Sequence, residues 1–550
     1  MTDKQVLLIV LDGFGIAAAT DGNAIFQAQP HFIPQLFLSY PHTQLKASGE
    51  SVGLPNGESG NTEVGHTNLG AGKIVYQSLP RINMSIADGT FATNQEFLGA
   101  FDHAKKHGSK VHLLGLIGQQ HQHANVAHLF ALLHLAKIQN YDKVYIHAIT
   151  DGRDSPPQAA SEYLTQLDQK ISELGVGKIA SVMGRYYGMD RDKRWPRVEL
   201  AYDCLTNSSS PTAKTWKEVL EQSYSKKIYD EFIVPTTLVD EANNPIAKIE
   251  DNDAVIFFNF RIDRPRELTK AFVLPDFEDQ ANKTDFDPFA TKYFKKHELS
   301  PSSDLEKPFT RKKVLKNLFF VTMTEYERNL PVHVAFPPHV VQNPLGRVIS
   351  QKGLAQLRMA ESEKERFVTY YFNGLRETPF DKEDKIIIPS PKVATYDLKP
   401  EMSAFELTDE LIQRLNSKRY PFILVNFANA DMLGHTGNIE AAKRAIRALD
   451  TCLEKIISSA LLSNYLILIT ADHGNVEEMI RKETGKPSTE HSDNPVPFVA
   501  IHEKLKGHPL MLQSGILADV APSILSYMKI PIPPEMSGRN LLSEIDTYLR

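Results

Sequence analysis

What constrains this chain most is a repeated unit: a short run of valine, isoleucine, leucine and phenylalanine, closed by glycine or charged residues and followed by a longer amphipathic stretch. Such runs occupy residues 6–11, 110–118, 143–149, 179–183, 254–260, 317–322, 332–336, 368–372, 386–388, 422–427 and 465–469. A run that is apolar on both faces suits a parallel strand covered by helices on both sides, and stretches between the runs, such as 439–457, carry helical periodicity. The pattern predicts an α/β protein built on doubly wound sheets. In that architecture ligand-binding groups collect in the crevice at the C-terminal strand ends, so the residues closing each run carry most of the functional information.

At 550 residues the chain exceeds what one core organises, and roughly two to four domains are expected. Residues 276–316 turn polar and mixed in charge and read as a loop-rich surface excursion without chemistry. Pro337-Pro338 stiffens the chain where the composition changes, which suits a linker or hinge. A net charge of -6 with interspersed basic residues leaves no footprint for nucleic acid, so any bound anion should be small. No stretch approaches the ~20 apolar residues of a membrane span, and the first run lacks the length and cleavage pattern of a signal peptide. Cys204 and Cys452 stand far apart, outside metal-like spacing. Buried thiols in a reducing compartment are expected, and with them a cytoplasmic location.

The strand ends are chemically rich. The first run closes on Asp12, followed by Gly13 and Gly15; a strand-end aspartate is most often a turn residue, but it also faces the crevice. The second leads to Gln120, His121, Gln122 and His123, whereas His128 and His134 fall in the helical pattern that follows and read as packing or surface residues. The third ends in Asp151-Gly152-Arg153-Asp154. Two more lead into arginine clusters, GRYYGMDRDKRWPR with Arg185, Arg191, Arg194 and Arg197, and RIDRPREL with Arg261, Asp263, Arg264 and Arg266. Any one arginine is ordinarily a solvated surface charge. Clusters just past strand ends instead suit bidentate capture of phosphate and carboxylate.

GNTEVGHTNLGAGK, residues 60–73, combines a glycine-loosened backbone with one hydroxyl, Thr62, at a helix start. Read alone, Thr62 is a helix cap. The same free N–H groups and helix dipole also favour an anion. Downstream, FANADMLGHTG supplies Asp431 and His435, four apart and able to aim at one point, ITADHGN supplies Asp472 and His473, and STEHSDNPVP supplies His491. Aspartate and histidine ligands suit manganese or zinc, and with Asp12 these groups suffice for two ions. Two ions can deprotonate a hydroxyl and neutralise a phosphoryl group, and Thr62 is the hydroxyl available. There is no H-E-x-x-H and no Walker A sequence, which excludes the corresponding metalloprotease and NTPase classes.

Eight ordered segments, LDGFG, GNTEVGHTNLGAG, DGRDSPP, GRYYGMDRDKRW, FFNFRIDR, IPSPKVATYDLKPEMSA, NFANADMLGHTG and TADHGN, together resemble the cofactor-independent phosphoglycerate mutases from near the N-terminus almost to the end. That family belongs to the alkaline-phosphatase-like metalloenzymes. The resemblance implies a phosphatase-like metal-binding domain, 1–77 with 339–550, interrupted by a transferase-like substrate-binding domain, 78–338. It implies a first manganese held by Asp431, His435 and His491, and a second held by Asp12, Asp472, His473 and the Thr62 hydroxyl. His123, Arg153, Asp154, Arg185, Arg191, Arg261 and Arg264 would grip the substrate, joined by Lys364 of AESEKERF. The implied reaction belongs to glycolysis and gluconeogenesis. The phosphoryl group of 3-phosphoglycerate moves to Thr62, glycerate reorients in a closed cleft, and the 2-hydroxyl takes the group back with Asp154 transferring protons. No 2,3-bisphosphoglycerate is needed, water is excluded by hinge closure, and a monomer is expected.

The chain departs from the family pattern in threonine for the usual serine nucleophile, in LIGQQHQH for SDGGVHSH, and in a longer 276–316 segment. Threonine keeps the hydroxyl but adds a methyl that restricts χ1. Two other readings therefore accompany the mutase: a metal-dependent phosphohydrolase of the same fold, and a catalytically silent metal-binding protein.

Overall fold

The structure is a computed structural model that describes residues 4–118, 122–207, 210–283, 306–481 and 484–549; Gln120, His121 and residues 284–305 of the polar excursion lie outside them. The chain lays down β1 (Gln5–Leu11) and β2 (His42–Lys46) before leaving for a second unit. There it forms β3 (Val111–Ile117), β4 (Val144–Thr150), β5 (Lys178–Gly184), β6 (Thr212–Ala213), β7 (Thr236–Leu238), β8 (Ala254–Phe257), β9 (Phe319–Thr324) and β10 (His333–Phe336). It returns for β11 (Gln356–Glu361), β12 (Glu383–Ile388), β13 (Phe422–Phe427), β14 (Tyr465–Thr470), β15 (Val496–Ile501) and β16 (Gly515–Ile516). The compact units are Met1–Gln77 with His339–Arg550, and Ser78–Pro338.

The first unit holds a sheet in the order β12-β11-β13-β1-β14-β15-β2-β16. β1 is central, paired in parallel with β13 (Leu11 opposite Phe427) and with β14 (Val10 opposite Thr470). Val6 to Val10 are wholly buried because both faces are covered. The helix Ile439–Leu462 supplies part of that cover: Asn438 Oδ1 caps it by accepting from Ala441 N (3.1 Å), and Ala442, Ala445, Ile446, Leu449, Leu453 and Ile456 form its buried stripe. Each large aliphatic side chain so buried contributes about 1.5–3 kcal/mol. β1, β13 and β14 end side by side, which sets Asp12, the helix Asn429–Gly434 and the Asp472-His473 turn at one edge.

Two expectations for this unit need correction. Residues 368–372, read as a strand, form a π-helical turn, Phe367–Tyr371, and its C-cap, Phe372, against the helix Thr62–Ala71, with the Phe367 and His66 rings 6.0 Å apart. A five-residue apolar run cannot by periodicity alone be told from a buried helical turn. The true neighbour strand, β11, escaped notice because it carries Gln356, Arg358 and Glu361, all buried. Its polar side chains are partly paired inside the unit: Arg358 Nη2 donates to Gln356 Oε1 at 2.7 Å, and Glu361 Oε1 accepts from Ser403 N at 2.9 Å.

The second unit holds a sheet in the order β10-β9-β8-β3-β4-β5-β7-β6, parallel except where β7 meets β5. Through its core runs a buried polar chain in which Asp253 Oδ2 meets His112 Nε2 (3.0 Å), His112 Nδ1 meets His147 Nε2 (2.9 Å) and His147 Nδ1 meets Ser181 Oγ (2.8 Å). Burial holds both imidazoles below the ordinary histidine range, so they stay neutral, and Asp253 as acceptor fixes one direction for the protons. This is why strands that read as apolar tolerate two histidines. His128 is likewise a packing residue, buried with Nε2 3.0 Å from Asn83 Oδ1, and His134 is exposed.

Candidate active site

In the first unit, Thr62 opens the helix Thr62–Ala71 but does not cap it: the N-cap is Asn61, whose Oδ1 accepts from Val64 N at 3.0 Å. The Thr62 hydroxyl is therefore free of capping duty. It lies 3.0 Å from His473 Nε2, 3.2 Å from Lys364 Nζ and 3.4 Å from Asp12 Oδ1. The helix is buried nearly all round and approaches the β14 turn closely, for a Cβ on Gly65 would come within 2.5 Å of the Asp472 carbonyl oxygen.

Around Thr62, three buried carboxylates converge. Asp12 Oδ1 and Asp431 Oδ2 each lie 2.6 Å from Lys364 Nζ. Burial draws the Lys364 ammonium down, but Asp12, Asp431 and Asp472 outweigh it and hold its pKa above the ordinary lysine range. Asp431 Oδ1 faces His435 Nε2 and His491 Nε2, each at 3.2 Å. Those two Nε2 atoms are only 3.1 Å apart. Their Nδ1 atoms contact backbone carbonyls, Thr489 O and Gly60 O, both at 2.8 Å, which places the protons on Nδ1 and turns both Nε2 lone pairs inward. Two lone pairs and a carboxylate meeting at one point fit a divalent cation, and Asp431, His435 and His491 form one group with that geometry.

On the other side, Asp12, Asp431 and His473 form a second such group, and Asp12, His66 and Asp472 a third. Asp472 Oδ1 accepts from Gly13 N (3.2 Å) and His473 N (3.1 Å), while its buried Oδ2 takes no well-formed hydrogen bond and faces His66 Nδ1 at 3.3 Å and His473 Nε2 at 3.5 Å. An orphaned carboxylate oxygen beside imidazole nitrogen and a hydroxyl fits a second cation. Burial opposes a charge on His473, yet Asp472, with Asp12 and Asp431, raises its pKa to about 9, so without metal a proton takes the place of a cation. His66 and Asn426 were missed from the sequence. Asn426 Nδ2 donates to Asp12 Oδ2 (2.7 Å) and meets His66 Nε2 (3.1 Å), linking the carboxylates on either side of Thr62. His66 stands in the GNTEVGH segment and Asn426 opens the NFANADMLGHTG segment, so for both the motif was a usable signal, although Asn426 lies inside a strand.

In the second unit, the loops after β3, β4, β5 and β8 bring together His123, Asp154, Arg185, Arg191, Arg261 and Asp263. Arg185, almost wholly buried, lies 2.6 Å from Asp151 Oδ1 and 2.5 Å from Asp154 Oδ2. Arg191 and Arg261 share Asp263, at 2.7 and 3.2 Å. His123 Nε2 lies 3.5 Å from Asp154 Oδ2. Arg153 reaches Glu231 at 3.4 Å, and Arg264 donates to the Met189 carbonyl at 3.3 Å. Burial and then Arg185 push the His123 pKa down to about 3, so its imidazole is neutral. Burial would raise Asp154, but Arg185 overcomes it and keeps the carboxylate ionised. Burial and neighbouring arginines lower Arg264 to about 10, still a cation at neutral pH. Of the other clustered arginines, Arg194 pairs with Glu306, Arg197 with Asp190 and Arg266 with Glu327, which are supporting contacts away from His123. Asp151, Asp263 and Glu231 supply the counter-charge that orients the arginines.

Residues 82–328 match the family model described as the BPG-independent PGAM N-terminus. The chain is 47% identical to a 2,3-bisphosphoglycerate-independent phosphoglycerate mutase of Acetivibrio thermocellus over 98% of its own length and 100% of the relative. It is 46% identical to the Clostridium perfringens protein of the same name over 99% and 100%. Among solved structures it resembles Leishmania mexicana phosphoglycerate mutase, with 27% identity, a TM-score of 0.57, and 98% and 97% of the two chains covered. With near-complete coverage at such identity, and with an Asp/His cluster around a hydroxyl in one unit and an arginine cluster in the other, the chain belongs to the 2,3-bisphosphoglycerate-independent phosphoglycerate mutase family.

Proposed function

We propose that this chain interconverts 3-phosphoglycerate and 2-phosphoglycerate without 2,3-bisphosphoglycerate, through a phosphoenzyme at Thr62, as a cytoplasmic and monomeric enzyme of glycolysis and gluconeogenesis. The observation that carries the reading is the Thr62 hydroxyl, released from capping by Asn61 and set within 3.4 Å of His473, Lys364 and Asp12. Asp431, His435 and His491 would hold one manganese ion, and Asp12, Asp472, His473 and Thr62 a second. Such ions lower the pKa of a hydroxyl and neutralise phosphoryl charge.

The chain's own residues do the rest. Thr62 Oγ attacks phosphorus, the bond from phosphorus to the substrate's 3-oxygen breaks, and the reverse attack by the 2-oxygen releases Thr62. Lys364 offsets charge beside Thr62. Arg153, Arg185, Arg191, Arg261 and Arg264 bind phosphate and carboxylate, and neutral His123 contributes a hydrogen bond rather than a charge. Asp154, ionised by Arg185, carries the proton between the 2- and 3-oxygens. The Leishmania relative was crystallised at low cobalt concentration, which accords with a divalent metal here.

The test is conversion of 3-phosphoglycerate by purified protein with Mn2+ and no 2,3-bisphosphoglycerate, alongside a phosphate-release assay. Label trapped on Thr62 with 2-phosphoglycerate as the main product supports the reading. Free phosphate exceeding 2-phosphoglycerate would instead establish the phosphohydrolase reading, for which threonine at the nucleophile position is the motive.

A further inference from the structure

Three loops carry cation-type ligands of the first unit beside Asp431 and His435: Asp12 to Gly15, Asp472 to Asn475, and His491 to Asn494. All three close on one side chain that the reaction does not use. Glu477 is almost wholly buried in the short helical turn Val476–Glu478. Its Oε2 accepts from Gly15 N at 3.0 Å and Asn475 N at 2.8 Å. Its Oε1 accepts from the Ser492 hydroxyl and from Asn494 Nδ2, the latter at 3.1 Å. The loops are shaped around this carboxylate as well as bonded to it. A Cβ on Gly15 would lie 2.3 Å from Glu477 Cδ, and one on Gly474 would lie 2.4 Å from Oε1. Gly15 of LDGFG and Gly474 of TADHGN are thus explained by contact with Glu477.

We propose that Glu477 is a positioning residue for the metal centre, setting His491 through Oε1 and the Asp12 and His473 turns through Oε2. This deepens the metal-centre reading and rests on it. The two halves of the carboxylate are not equivalent. Gly15 and Asn475 present backbone N–H groups that cannot turn away, whereas the Ser492 hydroxyl can rotate to accept. In Glu477→Gln the amide oxygen therefore settles toward Gly15 and Asn475, and the new NH2 faces Ser492 and Asn494. That change loosens the loop of His491 and leaves the other two loops held.

The experiment is a Mn2+ titration of the full chain, with free Mn2+ read by electron paramagnetic resonance, on the unaltered protein, Glu477→Gln, His491→Ala and Asp472→Asn. The unaltered protein binds two ions. Glu477→Gln weakens one of them about 10–100-fold, the same ion lost in His491→Ala, and keeps the ion lost in Asp472→Asn. Unchanged affinity for both ions in Glu477→Gln overturns the proposal, as does loss of both, since general destabilisation does not choose between sites. Failure of the unaltered protein to bind Mn2+ overturns the underlying metal reading before any variant is compared. If Glu477→Gln does not fold, Asn494→Ala decides: it removes one donor from Oε1 and should weaken the His491 ion several-fold, and no change overturns the proposal.

Discussion

The two clusters are built on opposite electrostatic plans. In the first unit, three buried carboxylates meet a single buried ammonium, Lys364, and imidazoles whose Nε2 lone pairs face one another. In the second, four arginines are distributed over Asp151, Asp154, Asp263 and Glu231, a fifth, Arg264, donates to the Met189 carbonyl, and a neutral His123 stands among them. One arrangement is an excess of acceptors that calls for cations, and the other an excess of donors that calls for an anion. Each unit fixes its excess charge by partial pairing rather than by full neutralisation, which leaves orientation without saturating the site. On the function proposed above, the contrast is a division of labour: metal binding and nucleophilic chemistry from one unit, recognition of the substrate anion from the other.

The largest effect should come from the point where the cation-type cluster meets chemistry. Thr62→Ala removes the acceptor while leaving Asp12, His473 and Lys364 in place, so activity should fall at least about 10³-fold with Mn2+ binding largely kept. Assays of 2-phosphoglycerate formation beside Mn2+ titration check this. Retention of a tenth of the activity would remove Thr62 from the mechanism. The matching change in the other cluster is Arg264→Lys, which keeps the charge but loses the guanidinium fork. The lost charge-assisted hydrogen bond is worth about 1.5–3 kcal/mol, so KM for phosphoglycerate should rise about 10–100-fold. Mn2+ affinity should not move; if it does, the division of labour is wrong.

Protons separate the clusters more gently. His473 has a metal-free pKa of about 9, above the ordinary 6.5. A histidine raised in the folded state stabilises the metal-free chain fully below about pH 6.5 and loses that contribution as pH rises through about 9. A cation must displace the same proton, so apparent Mn2+ affinity should climb about tenfold per pH unit from about 6.5 toward 9 and then flatten. His123, with a pKa of about 3, is neutral throughout that range and should add no pH dependence to phosphoglycerate binding. Mn2+ and phosphoglycerate titrations at pH 6, 7, 8 and 9 test both halves of the statement. A flat Mn2+ profile would show that His473 does not hold the competing proton.

Much of this arrangement was legible in the sequence, and what was hidden shares a physical cause. β1, β13 and β14 are apolar on both faces, so their positions and the ligand residues just past them could be read directly. β11 could not, because Gln356 and Arg358, buried and bonded to each other, interrupt its apolar pattern. The turn Phe367–Tyr371 failed in the opposite sense, for its apolar run is buried without being extended. The same distinction holds in the site. Residues that offer a ligand atom announce themselves by type and motif, as Asp431 and His435 do four residues apart. For residues that orient them the role stays hidden until distances identify their partners, whether they stand inside a motif, as Asn426, Asp151 and Asp263 do, or outside one, as Glu477 does.

The smallest effect concerns the methyl group that sets Thr62, the proposed nucleophile, apart from the serine usual in the family. Thr62→Ser removes a methyl and keeps the hydroxyl that meets His473, Lys364 and Asp12. The methyl narrows χ1, and the restriction can act either way: it preorganises Oγ if the held rotamer is the reactive one, or slows transfer if phosphorylated Thr62 must rotate. The contacts of Thr62 Oγ favour the first, because His473 and Lys364 already hold the hydroxyl in one place. Freeing χ1 costs about 0.5–1 kcal/mol of side-chain ordering, so kcat should fall by about two- to fivefold while Mn2+ affinity and KM stay unchanged. Single-turnover transfer rates of the two proteins measure this directly. A rise in kcat would mean that threonine impedes the reaction, and the comparison would then turn on rotamer exchange at Thr62 rather than on the charge surrounding it.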